Sequence, residues 1–286
     1  APLQTRRPLY GPLPLVTTIS GTDSSATMDY HSLQISGRKR LSRGLEFLTS
    51  YTLSKTLTDN LGYYGSGGVN NEGAYWQNAY DRRGNHGPAF FDARHVVSLG
   101  GYYDLPFGKN KSWGRGWNRP LDMVLGGWNL NYILSLHSGF PVTIQSNDRS
   151  GGQLARGSSR ANRYRSLTYT DQTIDRWFGT GNTFCLQAGL NDGSCAYGEP
   201  VLGTFGSSGI GTERAPDFRN FDLGFGKKFS LTERNYFDLR VELFNAFNHT
   251  SFGPPARNIS APATFGFITG TITSPRNIEF ALKYYF

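Results

Sequence analysis

The chain has 286 residues with 36 glycines, 16 tyrosines and 20 phenylalanines against two methionines, and its formal net charge is +8. Turn formers and aromatics in those numbers, with few strong helix formers, favour an all-β protein, and no run approaches the roughly 18 to 20 apolar residues of a spanning helix. The positive charge invites a nucleic-acid reading, but the arginines are scattered and no binding motif carries them, so no nucleic-acid partner is expected; an anionic surface such as lipopolysaccharide suits that charge equally well.

The opening "APLQTRRPLYGPLPL" lacks the charged, apolar and cleavage regions of a signal peptide. The expectation is that an export sequence has been removed or that the chain is part of something longer. "YGPLPLVTTIS" is a weak strand candidate because its prolines withhold ladder donors. "YHSLQISGRKRL" and "RGLEFLTSYTLSKTL" then read as strands joined by a short turn near Ser42 and Arg43. In "ARHVVSLGGYYDLP", Val97, Leu99, Gly101, Tyr103 and Leu105 alternate with Ser98, Gly100, Tyr102 and Asp104. "WNLNYILSLHSG" sets Trp128, Leu130, Tyr132, Leu134 and Leu136 against Asn129, Asn131, Ser135 and His137. "FRNFDLGFGKKF" places Phe221, Leu223, Phe225 and Phe229 opposite Asn220, Asp222, Gly224 and Lys228, and "SLTE" turns it into "NYFDLRVELFNAFNH". There Phe237, Leu239, Val241 and Leu243 alternate with Asp238, Arg240 and Glu242. The closing "RNIEFALKYYF" puts Ile278, Phe280, Leu282, Tyr284 and Phe286 on one face. Period-2 alternation of this kind is the mark of a strand with two unlike faces.

A soluble sandwich and a membrane barrel both alternate, with opposite meanings for the apolar side. A mean hydropathy of −0.44 does not separate them, since half of every barrel strand is polar. Length and connection do. Most segments reach the roughly 9 to 11 residues of a tilted transmembrane strand, beyond the roughly 5 to 6 of an ordinary one. If strands alternate in direction, Ser42 to Arg43, Pro106 to Gly126 and Ser230 to Glu233 fall at one end, and about 59–90, 141–217 and 250–274 at the other. Short periplasmic turns and long external loops give a membrane barrel this asymmetry, and Tyr102, Tyr103, Phe107, Trp113, Trp117, Trp128, Tyr284, Tyr285 and Phe286 cluster near strand ends. The fold expected is an all-β antiparallel transmembrane β-barrel in the bacterial outer membrane, with about eight strands in this chain. Asp222, Asp238, Arg240, Glu242, Glu279 and Lys283 would face its lumen.

Candidate ligand contacts lie in the long loops. "YYGSGGVNNEGAYWQNAYDRRGNHG" offers Tyr75, Trp76 and Tyr80 for stacking on sugars or peptides, and equally suits a self-packed loop. Arg149, Arg156, Arg160, Arg163 and Arg165 concentrate charge in the longest loop, either for lipopolysaccharide phosphates or an anionic ligand, or as a solvated surface. Cys185 and Cys195 are spaced to close a small loop by a disulfide, the other reading being two free thiols. Their spacing fits no zinc pattern, the five histidines show no metal-ligand spacing, and neither a metal nor a cofactor is expected. Asp92, His95 and Ser98 carry the three residue types of a hydrolytic site, but nothing in the sequence arranges a nucleophile, base and orienting group, and no enzyme activity is expected.

Five stretches in this order, "YHSLQISGRKRLSRGLEFLTSYTLSKTL", "FFDARHVVSLGGYYDLPFGKNK", "GGWNLNYILSLHSGFPVTI", "RNFDLGFGKKFSLTERNYFDLRVELFNAFNHTSFG" and "TFGFITGTITSPRNIEFALKYYF", resemble the C-terminal part of the barrel of Oar-like TonB-dependent outer-membrane receptors of the acidobacterial type. The resemblance implies a barrel of about 22 strands around an N-terminal plug, with TonB engaging the plug side to drive uptake. It also implies that Tyr284 and Phe286 belong to the signal read by the barrel-assembly machinery. No plug or TonB box is legible here, so the match is to roughly the last third of such a receptor. The expected role is ligand recognition by external loops and TonB-driven uptake, with the remaining barrel and plug supplied elsewhere. The alternatives are a structural or self-assembling outer-membrane protein, or a small stand-alone barrel of about eight strands.

Overall fold

The computed structural model describes residues 11–16, 24–60, 62–63, 66–67, 76–78, 80–109, 111–151, 159–232 and 234–286. Seven long strands run in chain order as one antiparallel meander: β1 (Met28–Ser42), β2 (Leu45–Thr58), β3 (His95–Asp104), β4 (Trp128–His137), β5 (Phe218–Ser230), β6 (Tyr236–Phe244) and β7 (Asn277–Tyr285). The eighth member of the sheet is the two-residue strand Gly87–Pro88, which pairs with Leu57 and Thr58 at the end of β2. This corrects the expectation of a strand over "YGPLPLVTTIS": residues 11–16 form turns, and 17–20 lie outside the described residues. The two prolines decide against a ladder there by removing N–H donors.

Turn chemistry separates the two ends of the sheet. Arg43 and Gly44 both take positive φ, 53° and 78°, as a two-residue hairpin between right-twisted strands requires. A Cβ at Gly44 would lie 3.0 Å from the Cβ of Asp104, so glycine is needed there for space as well as for φ. β5 and β6 join at the same end through residues 231–235, of which Glu233 lies outside the described residues. The third connection, between β3 and β4, holds a short helix that the alternation does not reveal, α1 (Arg119–Leu125). Asn118 caps it by accepting from the Leu121 amide at 3.0 Å, and Pro120 sits in its first turn. An Asn cap followed by a first-turn proline is the signal that could have disclosed it. Among the described residues no helix is long and apolar enough to cross a membrane.

Register places each side chain on one of two faces. The first carries the rungs Ile35–Tyr51–Val97–Leu136, Leu99–Leu134–Phe221, Tyr103–Leu130–Phe225–Val241–Phe280 and Phe229–Phe237–Tyr284. Tyr132 lies over Gly101 on this face, closely enough that a Cβ at Gly101 would collide with its ring. At the short-turn end the face finishes in aromatics: Phe237 and Tyr284 are 4.9 Å apart, Tyr284 and Phe286 5.8 Å, and Phe107 and Trp113 5.3 Å, centroid to centroid. Lys227 emerges among them, its ammonium over the rings of Trp128 and Phe229 and donating to the Val124 and Gly126 carbonyls at the end of α1.

The buried core does not lie on this sheet. It lies in the loops, where Val142, Ile144, Ala161, Leu167, Phe178, Ala196, Tyr197, Ala215 and Ile259 pack with Trp177, Phe184 and Phe265. The sheet leaves its apolar face open, with Phe280 74% and Leu282 64% exposed. Large apolar side chains aligned over several strands with nothing packed on them are what a lipid-facing surface looks like outside its lipid.

Candidate functional site

The opposite face of the sheet is polar. One rung is a ladder of small hydroxyl side chains, Ser36–Ser50–Ser98–Ser135, ending at Asn220. The next is Arg38–Leu48–Gly100–Ile133–Asp222, in which two apolar residues interrupt the polarity. Beyond it come Glu46–Tyr102–Asn131–Gly224–Glu242–Glu279 and Asp104–Asn129–Gly226–Arg240–Ala281. Lys228–Asp238–Lys283 completes the series. Asp222, Asp238, Arg240, Glu242, Glu279 and Lys283 therefore share one face. Arg240 pairs with Asp238 at 3.2 Å, the Asn277 side chain donates to Glu279 at 2.9 Å, and Asp222 accepts from the Asn220 side chain at 3.0 Å and the Asn245 backbone amide at 2.8 Å. Glu242 stands directly across from Glu279. Acids, bases and amides side by side make a hydrated surface that suits a polar solute, and the Tyr102 hydroxyl donates to Asp104 at 2.6 Å within it.

At the long-loop end the strands are connected over 59–94, 138–217 and 245–276; described residues of the second and third connections share the apolar core, and those of the first bond the second through Gln77 to the Gly206 carbonyl and Arg160 to the Gly84 carbonyl. Buried carboxylates tie them together. Asp92 accepts from the Thr56 amide at 2.7 Å and pairs with Arg214 at 2.8 Å, joining β2 to residues 213–214 of the longest connection. Glu199 pairs with Arg149 at 2.9 Å and accepts from Ser260. Glu213 receives the hydroxyls of Tyr197, at 2.5 Å, and Tyr169, with Arg163 at 3.8 Å. Burial, and then the bond to Glu213, push both phenols well above the ordinary tyrosine range, so they remain donors at any physiological pH. None of these carboxylates is marked by periodicity; sequence reading named Asp92 only beside His95 and Ser98 and missed Glu199 and Glu213.

The loop candidates are placed as follows. Arg149 is held by Glu199; Arg160 is buried and donates to the Gly84 carbonyl at 2.7 Å; Arg163 meets Glu213 and the Ser166 hydroxyl; Arg165 donates to the Ser194 carbonyl at 3.1 Å. These four guanidinium groups brace the loops from within. Tyr80 is fully exposed, whereas Trp76 donates its indole N–H to the Asp59 carbonyl at 2.7 Å and lies 5.3 Å beneath the Arg82 guanidinium. Tyr75 and Arg156 lie outside the described residues. Asp92, His95 and Ser98 are not brought together: Asp92 is engaged by Arg214, His95 bonds Tyr51 at 2.9 Å on the apolar face, and Ser98 points to the polar face.

Asp59 offers a pH readout. Burial alone would raise its carboxyl, but the Arg82 guanidinium at 2.8 Å and the Thr27 amide at 2.7 Å outweigh it and hold the group below the ordinary carboxylate value. A carboxyl lowered on folding contributes above its unfolded value, about 4, and loses that contribution as pH falls through the folded value. Trp76 fluorescence is expected to be flat from neutral pH to about 4 and to change below it. An Arg82→Gln variant should move that change to higher pH.

Cys185 and Cys195 form a disulfide across a sequence separation of 10, with a Cα distance of 5.8 Å. Asp192 lies beside it, its carboxylate 3.3 Å from the Cys195 sulfur and bonded to the amide and hydroxyl of Ser194. Among the described residues this is the one clustering of metal-ligand types, and the bridge occupies both sulfurs. Closing so short a loop is worth about 2.5 kcal/mol of chain entropy. A Cys185→Ser/Cys195→Ser chain should lose roughly that much local stability, read as faster amide exchange over residues 183–198 with the long strands unchanged.

The model of the outer membrane beta barrel domain family matches residues 1–279. The chain belongs to that family. No curated protein and no solved structure matches it. As an outer membrane beta barrel domain, the chain resides in the bacterial outer membrane, and its antiparallel sheet is barrel wall.

Proposed function

We propose that this barrel domain is the C-terminal portion of a TonB-dependent receptor, in which external loops select a ligand and a plug governs its energised passage. The observation that carries the reading is the pair of sheet edges. β1, with 15 residues, and β7, with 9, each have a sheet partner on one side only among the described residues, so each offers a free ladder. Such ladders are too costly to leave unpaired in lipid. Further strands between β7 and β1 would satisfy both and enlarge the lumen enough to hold a plug. The resemblance of the five sequence stretches to Oar-like receptor barrels supplies the receptor type. In this reading the apolar face meets lipid and the face bearing Asp222, Asp238, Arg240, Glu242, Glu279 and Lys283 lines the lumen. The long, braced connections stand outside the cell, and Tyr284 and Phe286 form part of the assembly signal. No catalytic group is assigned.

The test is intact mass and peptide mapping of every polypeptide in the unheated, detergent-extracted particle. A plug and TonB box present in equal amount with these strands, on the same chain or a partner, is the expected result. A particle containing residues 1–286 alone, as a closed small barrel or as a ladder of identical chains, would replace uptake with a stand-alone or self-assembling role.

A further inference from the structure

A cavity of about 380 Å³ lies where the sheet meets the long connections, lined by Lys55, Pro88, Asp92, Arg94, Ser138, Gly139, Arg214 and Asp217. Its position follows from register. Lys55 lies on the same face of β2 as Tyr51 and Leu53, across from His31 of β1, and Pro88 pairs with Leu57 of that face. Each step of two residues along a strand rises about 7 Å, so the cavity sits one rung beyond Leu53. It therefore borders the long-loop edge of the apolar band, whose last full rung, Ile35–Tyr51–Val97–Leu136, ends at Arg219 of β5.

Charge in the cavity is unbalanced. Asp92 is taken by Arg214 and the Thr56 amide, and Asp217 by Arg219 at 3.7 Å and the Gly139 amide at 3.1 Å. Lys55 and Arg94 are exposed, and neither makes an ion pair with any described residue. Two free cations beside a hydroxyl, immediately above an apolar wall, fit an anion with a hydrocarbon tail: the head would lie in the cavity and the chains against Leu53, Val97 and Leu136.

We propose that this cavity binds the phosphate of an outer-leaflet lipid headgroup, with Lys55 and Arg94 as its charged ligands. The proposal rests on the barrel reading, which makes this face lipid-facing and the long-loop end external. It assigns the anion contact to the rim of the sheet, whereas Arg149, Arg160, Arg163 and Arg165 are committed to bonds within the loops.

The experiment is native mass spectrometry of the complete, delipidated receptor particle given a bis-phosphorylated acylated disaccharide, its dephosphorylated counterpart, or inorganic phosphate. The phosphorylated lipid should be retained by the native particle, and Lys55→Gln/Arg94→Gln should weaken retention about tenfold or more, as loss of charge-assisted bonds predicts. Equal retention by the variant, or equal binding of the dephosphorylated lipid, overturns the assignment. Inorganic phosphate held as tightly as the lipid overturns the lipid source and leaves a soluble-anion site. Heat-modifiable migration of the same particles tests the barrel independently, so lipid loss from a folded barrel bears on the cavity alone.

Discussion

Replacing Val241 with arginine is expected to destabilise the folded barrel by about 2–4 kcal/mol, the cost of a charge near the middle of a lipid-facing strand. Val241 lies in the rung Tyr103–Leu130–Phe225–Val241–Phe280, two positions from Leu239 and Leu243 and four from the aromatic Phe237. A guanidinium there stands among Phe225, Leu239, Leu243 and Phe280, with the like charge of Lys227 one rung away, and must snorkel past apolar side chains to reach water. Glu242, the next residue, points to the other face toward Glu279, and Glu242→Gln should change stability by no more than about 0.5 kcal/mol. Urea midpoints of the complete receptor in lipid vesicles measure both. If Glu242→Gln cost as much as Val241→Arg, the assignment of the two faces would be wrong.

Asp92→Ala is expected to loosen the long-loop end by about 3 kcal/mol, the lower part of the range for breaking a buried pair because Arg214 keeps partial access to water. The Asp92 side chain is 1% exposed, and its two oxygens bond the Thr56 amide and the Arg214 guanidinium. Arg214 also donates to the Asp92 carbonyl at 2.6 Å, so one side chain holds the segment before β3 against the end of the longest connection. Limited proteolysis of the folded barrel should then cut between 138 and 217 in the variant while the strands stay intact. Asp92→Asn keeps an acceptor for Thr56 and should lie between the two. An unchanged digestion pattern in Asp92→Ala would show that the apolar cluster around Ile144 and Tyr197 holds the loops without the ion pair.

All seven long strands were legible because a membrane barrel writes each of them twice, in length and in alternation. The Phe237, Leu239, Val241, Leu243 series and its charged counterpart specify which residues share a face before any register is known, since alternation has a period of two. The two failures have separate causes. "YGPLPLVTTIS" borrowed strand character from its Leu and Val residues although proline denies the ladder its donors. α1 is seven residues long, too short for a periodic signal, and only Asn118 and Pro120 mark it.

For the loops the balance is different. Their arginines were visible as a cluster, but whether a guanidinium meets solvent or a buried carboxylate depends on residues far away in sequence. Arg149 finds Glu199, and Arg214 finds Asp92 at a separation of 122 positions. Alternation by itself determined which residues share an apolar face and which a polar one, because strand geometry is local, and strand length with the asymmetry of the connections marked the chain as barrel wall. Only the tertiary structure decided which cations are spent inside the loops and which, Lys55 and Arg94, remain at the rim, because ion pairing depends on proximity in space between segments that the sequence keeps apart.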